Sequence, residues 1–149
     1  MSEENTFTEL EQIVLRRLAG CMIGASEDLQ IPGADDEVIF GRLLERSRRI
    51  VTELRQLMDD FFGELGGIAD VAALDDADFN EDMNTARQKP HPFLEVVTGL
   101  VANAYYSDPR ILVSLNKEDR PPFPKGNTLE QGDWSLLDPV KKRDPLFRA

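Results

Sequence analysis

The sequence predicts an all-α protein: a compact bundle of about five helices, followed by a long, Pro-rich and largely irregular C-terminal arm. Apolar residues recur at spacings of three and four along several segments before Lys117, and neither a hairpin signal nor a strand–helix alternation occurs. Five of the nine prolines lie after Lys117, among isolated large apolar residues. We therefore expect residues 1–116 to form a helical domain. We expect residues 117–149 to form an arm that packs on this domain or on a partner.

The first helix is predicted from about Thr8 to Ile23. Capping-box spacing occurs at Thr6 and Glu9, and again at Thr8 and Glu11, so either pair marks its beginning. Apolar residues then follow one helical face as far as Cys21 and Met22.

A single long helix is predicted from residue 36 to residue 65, capped by Asp35 or Asp36 and stopped by Gly66-Gly67. Its apolar face consists of residues at spacings of three and four, namely Phe40, Leu44, Ser47, Val51, Leu54, Met58, Phe61 and Leu65. This regularity resembles a heptad seam, which packs either against the rest of the chain or against a second copy.

The core helix is predicted within the nearly uncharged stretch from Pro92 to Pro109, and we expect it to be buried on most sides. Before it, residues 68–74 could form a short helix, and Asp75 or Asp76 caps another one. After it, residues 110–116 read as a short helix or a strand.

The net charge and the N-terminal sequence limit the partners and the cellular location that we expect. A formal net charge of −11 argues against nucleic acid, which rewards clustered cations. Residues 1–90 hold 20 acidic and 9 basic residues, whereas residues 91–149 hold 8 of each. No apolar run is long enough to span a membrane, and the start, MSEENTFTELEQ, has acids where a signal peptide needs bases. We expect a cytoplasmic protein, with export by a partner left open.

Catalytic and metal-binding patterns are missing from the sequence. The single histidine, His91, has no companion ligand and lies between two prolines, so a structural or exposed role is expected. Cys21 lies on the apolar face of the first helix and is interpreted as an inert thiol. The acidic cluster around Asp75 and Asp78 lacks the spacing of a calcium loop. The chain is therefore expected not to be an enzyme by itself.

Three arginines, Arg42, Arg46 and Arg49, share one stripe of the long helix. Glu45 and Glu53 are close enough in sequence to pair with them, so the stripe predicts a surface face of ion pairs.

Taken in order along the chain, several segments of the sequence resemble the small third-subunit family of gluconate 2-dehydrogenase. The matching residues are an early helix leading into Ile31-Pro32-Gly33-Ala34-Asp35-Asp36, the long helix, and Phe93 followed by Ala104-Tyr105-Tyr106-Ser107-Asp108-Pro109. Members of this family accompany flavin-dependent dehydrogenases of the glucose-methanol-choline type. The resemblance implies a large flavin-dependent dehydrogenase or oxidase as partner, with FAD in that partner and neither a cofactor nor a catalytic residue in this chain.

We expect the partner to be bound through exposed residues of the Tyr-Tyr-Ser-Asp-Pro turn and through large apolar residues of the arm. The candidate anchors are Tyr106, Asp108, Phe123, Trp134 and Phe147. Tyr105, in contrast, is expected to close the domain's own core. The alternative function is a self-contained helical adaptor that forms a homodimer through the long helix 36–65.

Overall fold

The computed structural model describes residues 6–117 and 132–143 of the 149 residues. Residues 6–117 fold into seven helices, and the described residues form no strand apart from an isolated bridge between Ser26 and Ile31. The seven helices are α1 (Glu9–Met22), α2 (Glu37–Ser47), α3 (Val51–Gly63), α4 (Ile68–Ala73), α5 (Asp76–Ala86), α6 (Pro92–Tyr105) and α7 (Pro109–Ser114). The all-α prediction is confirmed for these residues, although the helices outnumber the five expected.

Helix beginnings follow the local capping signals. Thr8 and Glu11 form a complete capping box at α1, with the Thr8 amide donating to Glu11 Oε2 at 2.6 Å. Asp36 and Asp75 cap α2 and α5 by accepting hydrogen bonds from backbone amides. The chain leaves α3 through Gly66 and Gly67, whose φ angles of 96° and 111° suit glycine.

The predicted long helix is wrong as a continuous element, because it breaks between Ser47 and Val51. Ile50 has φ −123° and ψ 15°, and its amide donates to the Ser47 carbonyl in a tight turn. The Ser47 hydroxyl, fully buried, donates to the Leu44 carbonyl at 2.9 Å, which competes with regular helix bonding. The break allows both α2 and α3 to pack against α6.

Helix α6 contributes to the core through one broad face rather than on most sides. The buried residues of this face are Phe93, Leu94, Val97, Val101, Ala104 and Tyr105. Thr98, Gly99 and Asn103 are exposed on the opposite side. The face packs against α1, α2 and α3, where Phe93 lies 5.1 Å from Phe61 between ring centroids.

Two compact units divide the chain, Met1–Asp119 and Arg120–Ala149. In the first, the segment read as a helix or a strand is helix α7. In the second, the described residues 132–143 form a 3-10 turn, Trp134–Leu137, and a short helix α8, Asp138–Lys141. This part of the predicted arm is therefore helical rather than irregular. Across the described residues, no helix has both the length and the apolar character needed to cross a membrane.

Candidate partner-binding site

Two of the segments on which the family resemblance rests meet at one corner of the helical domain. They are the segment that ends in Asp36 and the Tyr-Tyr-Ser-Asp-Pro turn that contains Asp108. Asp36 caps α2 and Asp108 caps α7, and the guanidinium of Arg110 binds both carboxylates. Arg110 Nη2 lies 2.7 Å from Asp36 Oδ1, and Arg110 Nε lies 2.9 Å from Asp108 Oδ1. Second contacts of 3.2 Å to Asp36 and 3.1 Å to Asp108 make both pairs bidentate.

Helix α2 supplies two further cations to this corner. Arg42 Nη1 lies 3.0 Å from Asp108 Oδ2, and Arg46 Nη1 donates to the Asn103 carbonyl at 2.6 Å and to Ser107 Oγ at 3.0 Å. The predicted pairing of this arginine stripe with Glu45 and Glu53 is therefore wrong for Arg42 and Arg46. Both reach across to the end of α6, because α2 packs along that helix. We call Asp36, Arg42, Arg46, Asp108 and Arg110 the corner cluster.

The charges of the corner cluster stabilise one another. The hydrogen bonds from Arg110 lower the pKa of the Asp108 carboxyl and of the Asp36 carboxyl, against the opposing effect of burial. In return, Asp108 and then Asp36 raise the pKa of the Arg110 guanidinium. With Arg110 and Arg42 both bound to it, the buried Asp108 is a compensated charge, which is the condition for burying a carboxylate at low cost.

The Ile31–Asp36 motif also has a structural explanation. A Cβ atom at Gly33 would collide with the Asp35 side chain and lie 2.9 Å from the Ala25 amide nitrogen, so a glycine is needed for the close approach. The Ala34 amide donates to the Ile23 carbonyl at 2.8 Å, which ties the loop to the end of α1. The loop thereby places the Asp36 carboxylate where it can accept hydrogen bonds from Arg110.

Of the two partner-binding residues predicted in the Tyr-Tyr-Ser-Asp-Pro turn, Tyr106 is exposed and Asp108 is buried. Asp108 is 1% exposed and binds within the domain, so its side chain does not present a free surface group. Tyr106, two residues earlier, is 53% exposed and forms an edge contact with the buried Tyr105 ring at 5.3 Å between centroids. Val113 and Leu115 of the α7 region are also exposed. Tyr106 remains a candidate anchor, and Tyr105 belongs to the core as expected.

In the second unit, the candidate anchor Trp134 opens the 3-10 turn and is 63% exposed. Its apolar neighbours Leu136, Leu137 and Val140 are exposed as well. The turn is capped by Asp133, whose carboxylate accepts the Ser135 amide at 3.0 Å. The other two candidate anchors, Phe123 and Phe147, lie outside the described residues.

The side chains of His91 and Cys21 each have a hydrogen-bond partner within the helical domain. His91 caps α6, with its Nδ1 accepting the Phe93 amide at 3.1 Å. Cys21 Sγ lies 2.6 Å from Asn80 Oδ1, and burial raises the pKa of this thiol even though Arg17 and Arg87 lie near it. Among the described residues, no group of three or more His, Cys, Asp or Glu side chains is placed to hold a metal ion.

Sequence reasoning missed Arg110 and the true partners of Arg42 and Arg46. The sequence Asp108-Pro109 did carry a usable signal for the start of α7, because an Asp cap followed by a proline at the first helical position is a common N-terminal pattern. Nothing in the spacing indicated Asp36 as the second acceptor, 74 residues away.

Residues 6–117 form a helical domain with an ionic cluster around the buried Asp108, and the described part of the second unit has an exposed tryptophan, Trp134. No family model matches the sequence, and neither curated proteins nor solved structures give a match.

Proposed function

We propose that this chain is a non-catalytic small subunit that binds and stabilises, or helps to fold, a flavin-dependent sugar or alcohol oxidoreductase. The complex is a heterodimer in which the large subunit carries FAD. The partner class comes from the sequence resemblance, and the binding role is supported by the surface described above.

The observation that supports binding most directly is the exposure of Trp134. Four large apolar side chains, Trp134, Leu136, Leu137 and Val140, are exposed within seven consecutive residues. A dense cluster of this kind is typical of a surface that another protein covers, and Trp is among the residues that most often dominate binding energy. Tyr106 offers a second anchor of the same kind on the helical domain.

No observation favours the alternative adaptor that dimerises through residues 36–65. The apolar seam assigned to it is interrupted at Ile50, and its members Val51, Leu54, Met58 and Phe61 are buried inside the domain. These side chains are already occupied by the chain's own core, so they offer no continuous seam to a second copy.

The test is purification of the full, affinity-tagged chain from its native host, followed by an absorbance scan of the purified complex. We expect a large companion subunit and the visible absorbance bands of oxidised flavin. The Trp134→Ala variant should lose the companion while the isolated chain keeps its thermal midpoint, because an exposed side chain contributes little to folding.

A matched control is Leu29→Ala, which removes a side chain that is 65% exposed in the loop after α1. This variant should retain the companion. The proposal fails if the companion carries no flavin. The assignment of Trp134 fails separately if Trp134→Ala retains the companion but lowers the thermal midpoint.

A further inference from the structure

A groove of about 540 Å³ lies where the ends of α1 and α5 meet α6. Its apolar lining comes from two places in the chain: Met22 and Ile23 at the end of α1, and Leu94, Val101 and Ala102 along α6. Leu94 and Val101 are 7% and 2% exposed, so they form a fixed floor. The volume is within the range of about 300–1,000 Å³ that is usual for small-molecule sites.

Two of the lining residues of this groove are cations. Arg87 and Lys89, at the end of α5, line it beside His91, while Glu95 is the acidic residue among the lining side chains. Arg87 is held in place by a 3.4 Å contact between its Nη1 and the Cys21 carbonyl. Residues 6–117 contain 20 acidic and 11 basic residues, so an excess of cations at one site reverses the sign of the surrounding surface.

A second groove beside α6 provides an internal comparison. It measures about 330 Å³ and is lined by apolar residues that include Leu57 and Val96, but its ionisable lining residues are Glu53 and Asp60. Both grooves therefore have apolar lining residues, but their ionisable lining residues carry opposite net charge. An anion is attracted to the first and repelled by the second.

We propose that the groove between α1, α5 and α6 binds a free amphiphilic carboxylate with a medium-length acyl chain. The acyl chain lies over Leu94 and Val101, which are separated by about 10 Å along the helix axis at about 1.5 Å per residue. The carboxylate is held by Arg87 and Lys89. This site is independent of the proposed partner.

Decanoate is the probe, added below its micelle concentration to the full chain labelled with ¹⁵N. We expect saturable changes in the amide NMR signals of Ile23, Leu94 and Val101, and none at Leu54 or Leu57, which line the second groove. Decyltrimethylammonium, which has the same chain length and the opposite charge, should bind at least about tenfold more weakly, equivalent to about 1.4 kcal/mol.

Two variants test the two halves of the site. The double variant Arg87→Glu with Lys89→Glu should weaken decanoate binding at least about tenfold, whereas Arg48→Glu, an exposed charge reversal at the end of α2, should leave it within about twofold. Ala102→Leu fills part of the groove without changing charge and should also weaken binding, with circular dichroism confirming the fold.

Three results would overturn the proposal. Equal affinity for decanoate and decyltrimethylammonium would show that Arg87 and Lys89 do not hold the carboxylate. Signal changes centred on Leu54 and Leu57 would place binding in the second groove, which is acidic. Binding to phosphatidylglycerol vesicles but not to free decanoate would identify a membrane surface as the ligand instead.

Discussion

Arg110 binds Asp36 with two hydrogen bonds, of 2.7 and 3.2 Å, and so joins the start of α7 to the start of α2. Both acidic partners of Arg110 are capping residues, so each carboxylate accepts backbone amides of its own helix and hydrogen bonds from the shared guanidinium. Helix initiation and tertiary packing are thereby coupled at one corner. Removing a member of the corner cluster should therefore change the free energy of unfolding.

Replacing Arg110 by Ala should lower the free energy of unfolding by about 2–3 kcal/mol, because the buried Asp108 would keep Arg42 alone as its side-chain ion-pair partner. Urea denaturation followed by circular dichroism measures this change. Arg110→Lys should recover less than half of the loss, since an ammonium group cannot bind two carboxylates bidentately.

Arg49→Ala is the matched control for this substitution. Arg49 is an exposed arginine in the turn between α2 and α3, outside the corner cluster, and its removal should change stability by no more than about 0.5 kcal/mol. Equal losses for Arg110→Ala and Arg49→Ala would show that the corner cluster has no special contribution.

The corner cluster should also make folding sensitive to acid. Hydrogen bonds from Arg110 lower the pKa of Asp108 and of Asp36 in the folded chain, so in acid the unfolded chain binds more protons than the folded one. The stabilisation is therefore complete above the ordinary carboxyl range, near pH 4–5, and is lost as pH falls through the lowered values.

Urea midpoints measured from pH 7 down to pH 3 test this expectation. The difference in stability between the native chain and Arg110→Ala should shrink as the pH falls. Glu11, whose pKa is lowered by hydrogen bonds from Arg55 and Thr8 despite its burial, contributes acid sensitivity to both proteins and cancels in the comparison. A difference that stays constant with pH would contradict the assignment.

Much of the fold was predictable from residues that act locally. Thr8 and Asp75 were each one of two predicted caps, and the Gly66-Gly67 stop was predicted, because a cap or a positive φ depends on neighbouring atoms alone. The α6 core face was predictable for a similar reason, since its apolar spacing is set by helix geometry.

The break after α2 could not be predicted from periodicity. The spacing of three and four continues through Ser47, Val51 and Leu54 because both helices present apolar faces to the same core. At the break, the buried Ser47 hydroxyl donates to the Leu44 carbonyl and the chain turns at Ile50, and neither feature is indicated by the spacing of apolar residues. The partners of Arg42 and Arg46 were missed for the same reason, since an arginine reaches groups that only the tertiary fold brings near.

Cys21 should react slowly with thiol reagents in the folded chain. Burial raises the pKa of its thiol, and this effect outweighs Arg17 and Arg87, so the thiolate fraction at neutral pH is smaller than for a free cysteine. We expect the reaction with a chromogenic disulfide at pH 7.5 to accelerate at least about tenfold in denaturing urea. Glutathione in the same urea solution serves as the reference. A folded rate equal to that of glutathione would contradict the prediction, because it is the rate expected of an accessible thiol with an ordinary pKa.

His91 should stabilise the core helix mainly through its ring nitrogen. Its Nδ1 accepts the Phe93 amide at 3.1 Å, and its ring makes an edge contact with Phe61 at 5.0 Å between centroids. His91→Ala removes both interactions and should cost about 1–2 kcal/mol at pH 7.5, whereas His91→Asn restores a capping acceptor and should recover about half of that loss. Phe61→Leu keeps the cap and removes the aromatic contact. The three thermal midpoints, measured at one pH, separate the contributions: if His91→Asn is no more stable than His91→Ala, the ring contact with Phe61 rather than the cap accounts for the role of this histidine.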